Sequence, residues 1–193
     1  MVELEIAAVA ARMVVEEGLD FAAAKRKAVK DMGLSPRTAL PDNDQLQQAV
    51  EEYVAEYCAD TQPAELRALR ELARDWMQRL QAFHPYISGA VWNGSATRMS
   101  DVYLQLFCDD PKATEIFLID QQIRYQPGEV KAGQGQPQNV LHLQAFSAAL
   151  QEYIGVHLMI YDTDDVRDAP KTDARGRKLR GNLAALNQLL ENT

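Results

Sequence analysis

The sequence has few of the features that mark disulfide-stabilised, zinc-stabilised or membrane-spanning proteins. Its 193 residues include two cysteines, Cys58 and Cys108, which are far apart and form no Cys-x-x-Cys pair. This pattern gives no support for a disulfide framework or a structural zinc site. No apolar run approaches the roughly 20 residues that cross a bilayer. The first residues lack the positive charge and apolar core of a signal peptide, so we expect a cytoplasmic protein.

Positive charge is scarce as well. Twenty Lys and Arg residues stand against 28 Asp and Glu, which gives a net charge of −8 and disfavours binding to a nucleic-acid backbone. Only the tail, residues 169–193, carries more basic than acidic side chains. We expect the basic cluster within this tail to be a solvated loop, and the tail is the one part of the chain through which a nucleic-acid partner is plausible. Its basic residues are Lys171, Arg175, Arg177, Lys178 and Arg180.

Hydrophobic residues recur at helical spacing through the first 82 residues. Gly18 and Gly33 are natural helix stops, and Asp42 with Gln45 forms a capping-box pattern at a helix start. The last two helices are separated by a short break, which favours an antiparallel hairpin. We therefore predict that residues 1–82 form a helical module. Its predicted helices are residues 2–17, 21–32, 43–59 and 63–83.

The hydrophobic period changes from 3.6 to 2 near His84-Pro85-Tyr86. Residues 83–193 are therefore predicted to form an α/β domain that ends in a helix, and the whole chain an α+β fold: a helical module followed by a mixed β-sheet flanked by helices. The predicted strands are residues 90–93, 101–107, 114–120, 122–126, 140–146 and 156–161. Ser147 is expected to cap a short helix that reaches residue 153.

Polar side chains alternate with apolar ones along two of these strands. Asp101, Tyr103, Gln105 and Phe107 share one face of the first strand, and His142 and Gln144 share one face of the other. If the two strands are neighbours, Asp101, Tyr103, Gln105, His142 and Gln144 form one polar surface. That surface, beside Gly94-Ser95, is the candidate site.

Gly94 and Ser95 follow the short apolar run 90–93. Because glycine has no Cβ, such a turn can bring several backbone N–H groups close to a phosphate. Asp101, at the mouth of the next strand, can then hold a divalent metal against that phosphate. The pattern Asn93-Gly94-Ser95 followed by Ser100-Asp101-Val102-Tyr103-Leu104 resembles the nucleotidyltransferase-fold superfamily, and within it a divergent proteobacterial group with a helical N-terminal region.

The resemblance implies a role for each matching residue. Asp101 is implied as a catalytic, Mg²⁺-binding carboxylate, and Ser95 as the serine that touches the triphosphate. Two positions differ from the family pattern and argue against metal-dependent transfer. Tyr103 stands where the family has its second carboxylate, and His142 stands where it has its third. A two-metal reaction needs a carboxylate that bridges both ions.

Three of these residues also have structural interpretations. Asp101 could cap backbone N–H groups, His142 could be a partly buried histidine satisfied by hydrogen bonds, and Arg98 could pair either with a phosphate or with Asp101.

The sequence therefore leaves three functional hypotheses open. The first is a nucleotidyltransferase-like protein that binds a nucleotide or phosphorylated ligand and has degenerate metal ligands. The second is a non-enzymatic protein–protein interaction module. The third is an active transferase with a non-standard carboxylate.

Overall fold

The computed structural model describes residues 1–131, 137–167 and 172–193. Within these ranges the chain forms seven α-helices and one six-stranded mixed sheet, which confirms the α+β fold class. The helices are α1 Val2–Glu17, α2 Phe21–Asp31, α3 Asn43–Tyr57, α4 Gln62–Arg79, α5 Gly89–Asn93, α6 Lys112–Asp120 and α7 Leu183–Glu191. The strands are β1 Tyr86–Ser88, β2 Val102–Phe107, β3 Gln126–Val130, β4 Gln138–Ser147, β5 Glu152–Tyr161 and β6 Arg180–Gly181. No helix in the described ranges is long and apolar enough to cross a membrane.

The chain divides into two compact units. The first comprises Met1–Glu65 and Ser95–Ser100, and the second comprises Leu66–Gly94 and Asp101–Thr193. In the first unit, α1 packs against both α2 and α3. Four fully buried alanines of α1 and α2 let the helix backbones approach closely around larger side chains such as Ile6 and Leu46. These alanines are Ala10, Ala11, Ala24 and Ala28.

Local capping chemistry sets the helix starts of the first unit. Asp42 accepts a hydrogen bond from the Gln45 backbone N–H at 2.7 Å, and the Gln45 side chain accepts one from the Asp42 N–H at 2.8 Å, so the predicted capping box is present. Asp20 caps α2 through the Ala23 N–H at 2.8 Å. Gly18 ends α1 in the left-handed conformation, with φ 69°.

The sheet of the second unit has the strand order β3-β4-β5-β2-β1-β6. Only the β2–β5 pair is parallel among the described strands, and the other pairs are antiparallel. One face of the three central strands is buried and apolar, as Leu104, Leu141 and Leu158 illustrate. The opposite face carries the polar side chains that the alternation predicted. The condition that strands 101–107 and 140–146 are direct neighbours is not met, because β5 lies between them.

Two predicted strands are helices instead. Residues 90–93 belong to α5, which Arg70 stabilises at its C-terminal end by donating to the Val91 and Trp92 carbonyl oxygens at 2.9 and 3.0 Å. Residues 114–120 belong to α6, where Thr114 and Leu118, four residues apart, are completely buried. Short runs of β-branched and aromatic residues do not distinguish a strand from a short helix.

Two further expectations are corrected by the structure. Ser147 accepts a hydrogen bond from the Leu150 N–H at 3.3 Å in a tight turn, rather than capping a helix, and β5 begins at Glu152. The strand expected over residues 122–126 begins only at Gln126. Phe107, on the same face of β2 as Tyr103 and Gln105, is 1% exposed, because the rings of Tyr86 and Tyr161 pack on it at 5.7 and 5.5 Å.

The capping box gives a test of the first unit. Replacing Asp42 with Ala should lower the free energy of unfolding by about 1 kcal/mol, because the first turn of α3 loses the acceptor for one of its N–H groups. Urea denaturation followed by circular dichroism measures this change. Asp42→Asn, which retains a capping oxygen, is the matched control and should unfold close to the wild type. Equal destabilisation by both substitutions would show that the cap itself contributes nothing.

Candidate functional site

Strand register places three aromatic side chains in a row across the polar face of the sheet. Tyr103 of β2 pairs with His157 of β5, and His157 pairs with His142 of β4. Because directly paired residues point to the same face, the three rings adjoin. The Tyr103 and His157 ring centroids are 4.8 Å apart with an interplanar angle of 30°, and those of His157 and His142 are 4.9 Å apart with an angle of 75°.

A chain of hydrogen bonds joins Asp101, His157 and His142. Asp101 Oδ2 lies 2.8 Å from His157 Nε2, and His157 Nδ1 lies 2.7 Å from His142 Nδ1. His157 therefore uses both ring nitrogens. We call these three side chains the relay. Its members come from the residue before β2, from β5 and from β4, so the relay spans three adjacent strands.

Two glycines provide the space that the ends of the relay occupy. A Cβ at position 155 would lie 2.6 Å from Asp101 Oδ2, and a Cβ at position 128 would lie 2.8 Å from His142 Nε2. Real Cβ atoms do not approach other atoms so closely. Glycine at these two strand positions is therefore what lets the carboxylate of Asp101 and the ring of His142 adopt their observed places.

The electrostatics of the relay differ along its length. Asp101 is the more open end, with its side chain 44% exposed, whereas the His157 side chain is 18% exposed. Burial, and in second place the charge of His157, lowers the pKa of His142 below its ordinary value. Both causes favour a neutral imidazole at position 142.

An open cleft of about 950 Å³ adjoins the two histidines. Besides them it contains two arginines, an acidic residue and several aromatic side chains. We call it the histidine cleft. Its lining includes His142, His157, Asp75, Trp76, Arg79, Arg124, Gln144, Phe146 and Tyr153. The Arg79 guanidinium lies over the Trp76 ring at 4.4 Å, and the Phe146 and Tyr153 rings lie 5.2 Å apart.

The structure brings together three of the predicted site residues, Asp101, Tyr103 and His142. Gln105 lies further along β2, and its Oε1 accepts a hydrogen bond from Arg180 Nη1 at 3.0 Å. Ser95 and Arg98 belong to the first unit. The buried Ser95 Oγ accepts a hydrogen bond from Gln47 Nε2 at 3.1 Å.

The prediction that a strand ends at Gly94 is wrong. Gly94 terminates α5 with φ 97°, and its N–H donates to the Ala90 carbonyl oxygen. A strand-to-helix turn lies instead at Ser88–Gly89. There β1 ends at Ser88, α5 begins at Gly89 with φ 76°, and Ser88 pairs with Tyr103. The small pair Ser88-Gly89 is the sequence signal for this turn.

His157 is the functional candidate that sequence reasoning missed. It lies on the polar face of β5, which covers the predicted strand 156–161. Tyr153, Gly155 and His157 alternate there with the buried residues Ile154 and Val156. That alternation was the available signal.

The basic tail makes contacts both within itself and with other parts of the second unit. Arg177 Nε pairs with Asp173 at 2.7 Å, and the Arg180 guanidinium lies over the Tyr86 ring at 4.7 Å. Trp92 Nε1 donates to the Lys178 carbonyl oxygen at 2.8 Å. Lys171 lies outside the described residues.

No group of three or more His, Cys, Asp or Glu side chains is placed to hold a metal ion in the described ranges. Asp101, the expected metal ligand, has Oδ2 within hydrogen-bond distance of His157. Comparison of the chain with protein-family models, with curated proteins and with solved structures finds no match.

The contact between Gly155 and Asp101 can be tested by a double-mutant cycle. In the wild-type background, Gly155→Ala should cost about 1–3 kcal/mol of unfolding free energy, because the new methyl group displaces the Asp101 carboxylate. In an Asp101→Ala background the same change should be neutral or slightly stabilising, since alanine suits a strand better than glycine. Chemical denaturation of the four proteins gives the coupling energy. An equal cost in both backgrounds would mean that Asp101 is not what glycine accommodates.

The lowered pKa of His142 predicts a loss of stability in acid. Between the lowered native pKa and the unfolded value of about 6.5, the unfolded state binds a proton that the folded state resists, so stability falls as pH drops from about 6.5 toward the native pKa. Above both values the group contributes no pH dependence. His142→Gln should flatten this part of the profile, measured as melting temperature against pH. His84→Asn, a change at an exposed histidine, should retain the wild-type slope.

Proposed function

We propose that this protein binds a nucleotide, or a phosphorylated small molecule with a similar aromatic ring, in the histidine cleft. The observation that carries the proposal is the composition of the cleft. Two arginines, an exposed aromatic pair and a neutral histidine line one open cleft of about 950 Å³. A volume of 300–1,000 Å³ is typical of small-molecule sites, and the mixture of apolar walls with a few polar groups is their usual chemistry.

The arginines supply the phosphate-binding part. Guanidinium groups match phosphate oxygens with paired N–H donors. Arg79 is held over Trp76, which restricts its rotamers before a ligand arrives. Asp75 also lines the cleft, and its Oδ1 lies 3.5 Å from Arg74 Nε, so part of its charge is compensated by an arginine.

The aromatic pair supplies the part that recognises a ring. Phe146 is 50% exposed and Tyr153 is 70% exposed, although large aromatic side chains are usually well buried. Exposed aromatic faces stack on nucleobases with little base preference, and such contacts contribute roughly 1–3 kcal/mol per base. Gln144, between His142 and Phe146 on the same face, adds an amide that can bind base edges.

The resemblance to the nucleotidyltransferase fold supports the same class of ligand. We infer a divergent member, with the strand-to-helix turn at Ser88–Gly89 facing Tyr103. Asp101 lies directly before β2, and His142, at the family's third carboxylate position, is joined to it through His157. A histidine nitrogen is a poor ligand for Mg²⁺, which prefers oxygen. We therefore propose a ligand-binding role without two-metal transfer.

A second candidate is a protein-binding role, which the edge of the sheet favours. In the described part of the chain, β3 pairs with β4 only as far as His142, so Leu143 to Ser147 of β4 are paired on one side only, with β5. An extended peptide can add to such an edge as a strand. A peptide bound there would compete with a nucleotide for the cleft.

Nucleotide binding is tested by thermal shift with ATP, GTP, CTP and UTP, each with and without Mg²⁺. A ligand at about 100 times its dissociation constant should stabilise the folded state by roughly 2.7 kcal/mol. Because the arginines bind the phosphates, Arg79→Ala with Arg124→Ala should abolish the response to the nucleotide that stabilises the wild type.

Arg26→Ala is the matched control for this experiment. Arg26 is an exposed arginine of the first unit, and it does not line the cleft. Its substitution removes one positive charge and should leave the shift unchanged. The proposal is contradicted if no nucleotide changes the melting temperature, or if the arginine double variant responds like the wild type.

A further inference from the structure

We propose that His142 is a general base whose Nε2 takes a proton from a hydroxyl group of a ligand in the histidine cleft, with His157 and Asp101 as positioning residues. This inference rests on the proposed function for the identity of the ligand. The chemical role of His142 is inferred from the relay, because binding a ligand does not by itself require these hydrogen bonds. Two short contacts in sequence, 2.8 Å and 2.7 Å, connect an ionisable carboxyl group to the histidine that lines the cleft.

Proton counting fixes the state of each nitrogen. An ionised carboxylate accepts hydrogen bonds only, so His157 Nε2 must carry the proton that faces Asp101. In a neutral His157 ring, Nδ1 is then an acceptor. The facing His142 Nδ1 must therefore donate, which leaves His142 Nε2 with a free lone pair. With both rings neutral and Asp101 ionised, no other arrangement satisfies both contacts.

Three features favour this state over a passive histidine pair. Burial keeps His142 neutral, so its lone pair is available for a proton. Gly128 presents no side chain against Nε2, where any Cβ would lie within 2.8 Å. The relay fixes the ring orientation, as a carboxylate does for the base of a catalytic dyad. The charged groups that line the same cleft are Asp75, Arg79 and Arg124.

The proposed step is a balanced proton transfer. The O–H bond of the ligand breaks and its proton forms a new bond to His142 Nε2. The Nδ1 proton of His142 passes to His157 Nδ1. The ligand oxygen becomes an oxyanion, and the positive charge comes to rest on His157, whose Nε2–H faces the Asp101 carboxylate. The pairing of these opposite charges stabilises the charged state.

The relay is tested on the full chain without any ligand, by long-range ¹H–¹⁵N NMR of the histidine rings near pH 7.5. The expected result is an unprotonated Nε2 and a protonated Nδ1 on His142, the reverse of the tautomer that free histidine prefers. In His157→Gln and Asp101→Asn, His142 should lose this fixed tautomer. His84→Asn identifies the exposed ring and should leave the other two unchanged. A His142 ring protonated at Nε2 in the wild type overturns the proposal, as does a tautomer that neither variant changes.

Two additions make the test decisive. If His157→Gln does not fold, Gly128→Ala displaces His142 while leaving the contact between Asp101 and His157 in place, and it should shift the His142 resonances and the His157 Nδ1 resonance, which loses its partner, but not the His157 Nε2 resonance. A nucleotide that raises the melting temperature should also move the His142 Nε2 resonance, because the ligand hydroxyl group binds there. Binding without that movement overturns the proposed base. Because the first experiment contains no ligand, its failure is distinguishable from a failure of nucleotide binding.

Discussion

The parallel pairing of β2 with β5 is the constraint on which the candidate site depends. It inserts β5 between the strands that carry Asp101 and His142, and its register sets His157 opposite Tyr103. The antiparallel β4–β5 hairpin then sets His142 opposite His157. A slip of one residue in the β2–β5 pairing would break the contact between Asp101 and His157, and a slip in the β4–β5 pairing would break the contact between His157 and His142, because the paired side chains would then point to opposite faces. The buried face, with Leu104, Leu158 and Leu141 in register, prevents that slip.

The same register explains why glycine interrupts two strands. Glycine in the middle of a strand costs roughly 0.5–1 kcal/mol relative to alanine. Gly155 and Gly128 accept that cost at the two positions where a Cβ would meet Asp101 or His142. The polar relay and the weakened strands are thus one arrangement. The three polar side chains hydrogen-bond to each other, and the two glycines make room for both ends of that chain of contacts.

The geometry also changes which part of the sequence motif matters. A strand followed by Gly94-Ser95 was expected to hold phosphate, but Gly94 terminates a helix whose last carbonyl groups bind Arg70. The chemistry that suits an anionic, aromatic ligand lies instead beside His142, where Arg79 and Arg124 meet the exposed pair of Phe146 and Tyr153. The acidic net charge of the chain does not oppose this, because a small ligand responds to the local arginines rather than to distant screened charges.

The sequence by itself determined the elements whose signals are local. The capping box at Asp42, the stop at Gly18 and the alternation of β2 each depend on residues within a few positions, and each is confirmed. A short apolar run such as residues 90–93 is too short to show a hydrophobic period. There the tertiary contacts, including the hydrogen bonds from Arg70, stabilise a helix. The alternation of polar and apolar residues assigned Asp101 and His142 to polar faces, but it does not predict which strands pair with each other. Only the tertiary structure placed His157 between them, because pairing between distant strands is set by burial of the whole sheet and leaves no local signal.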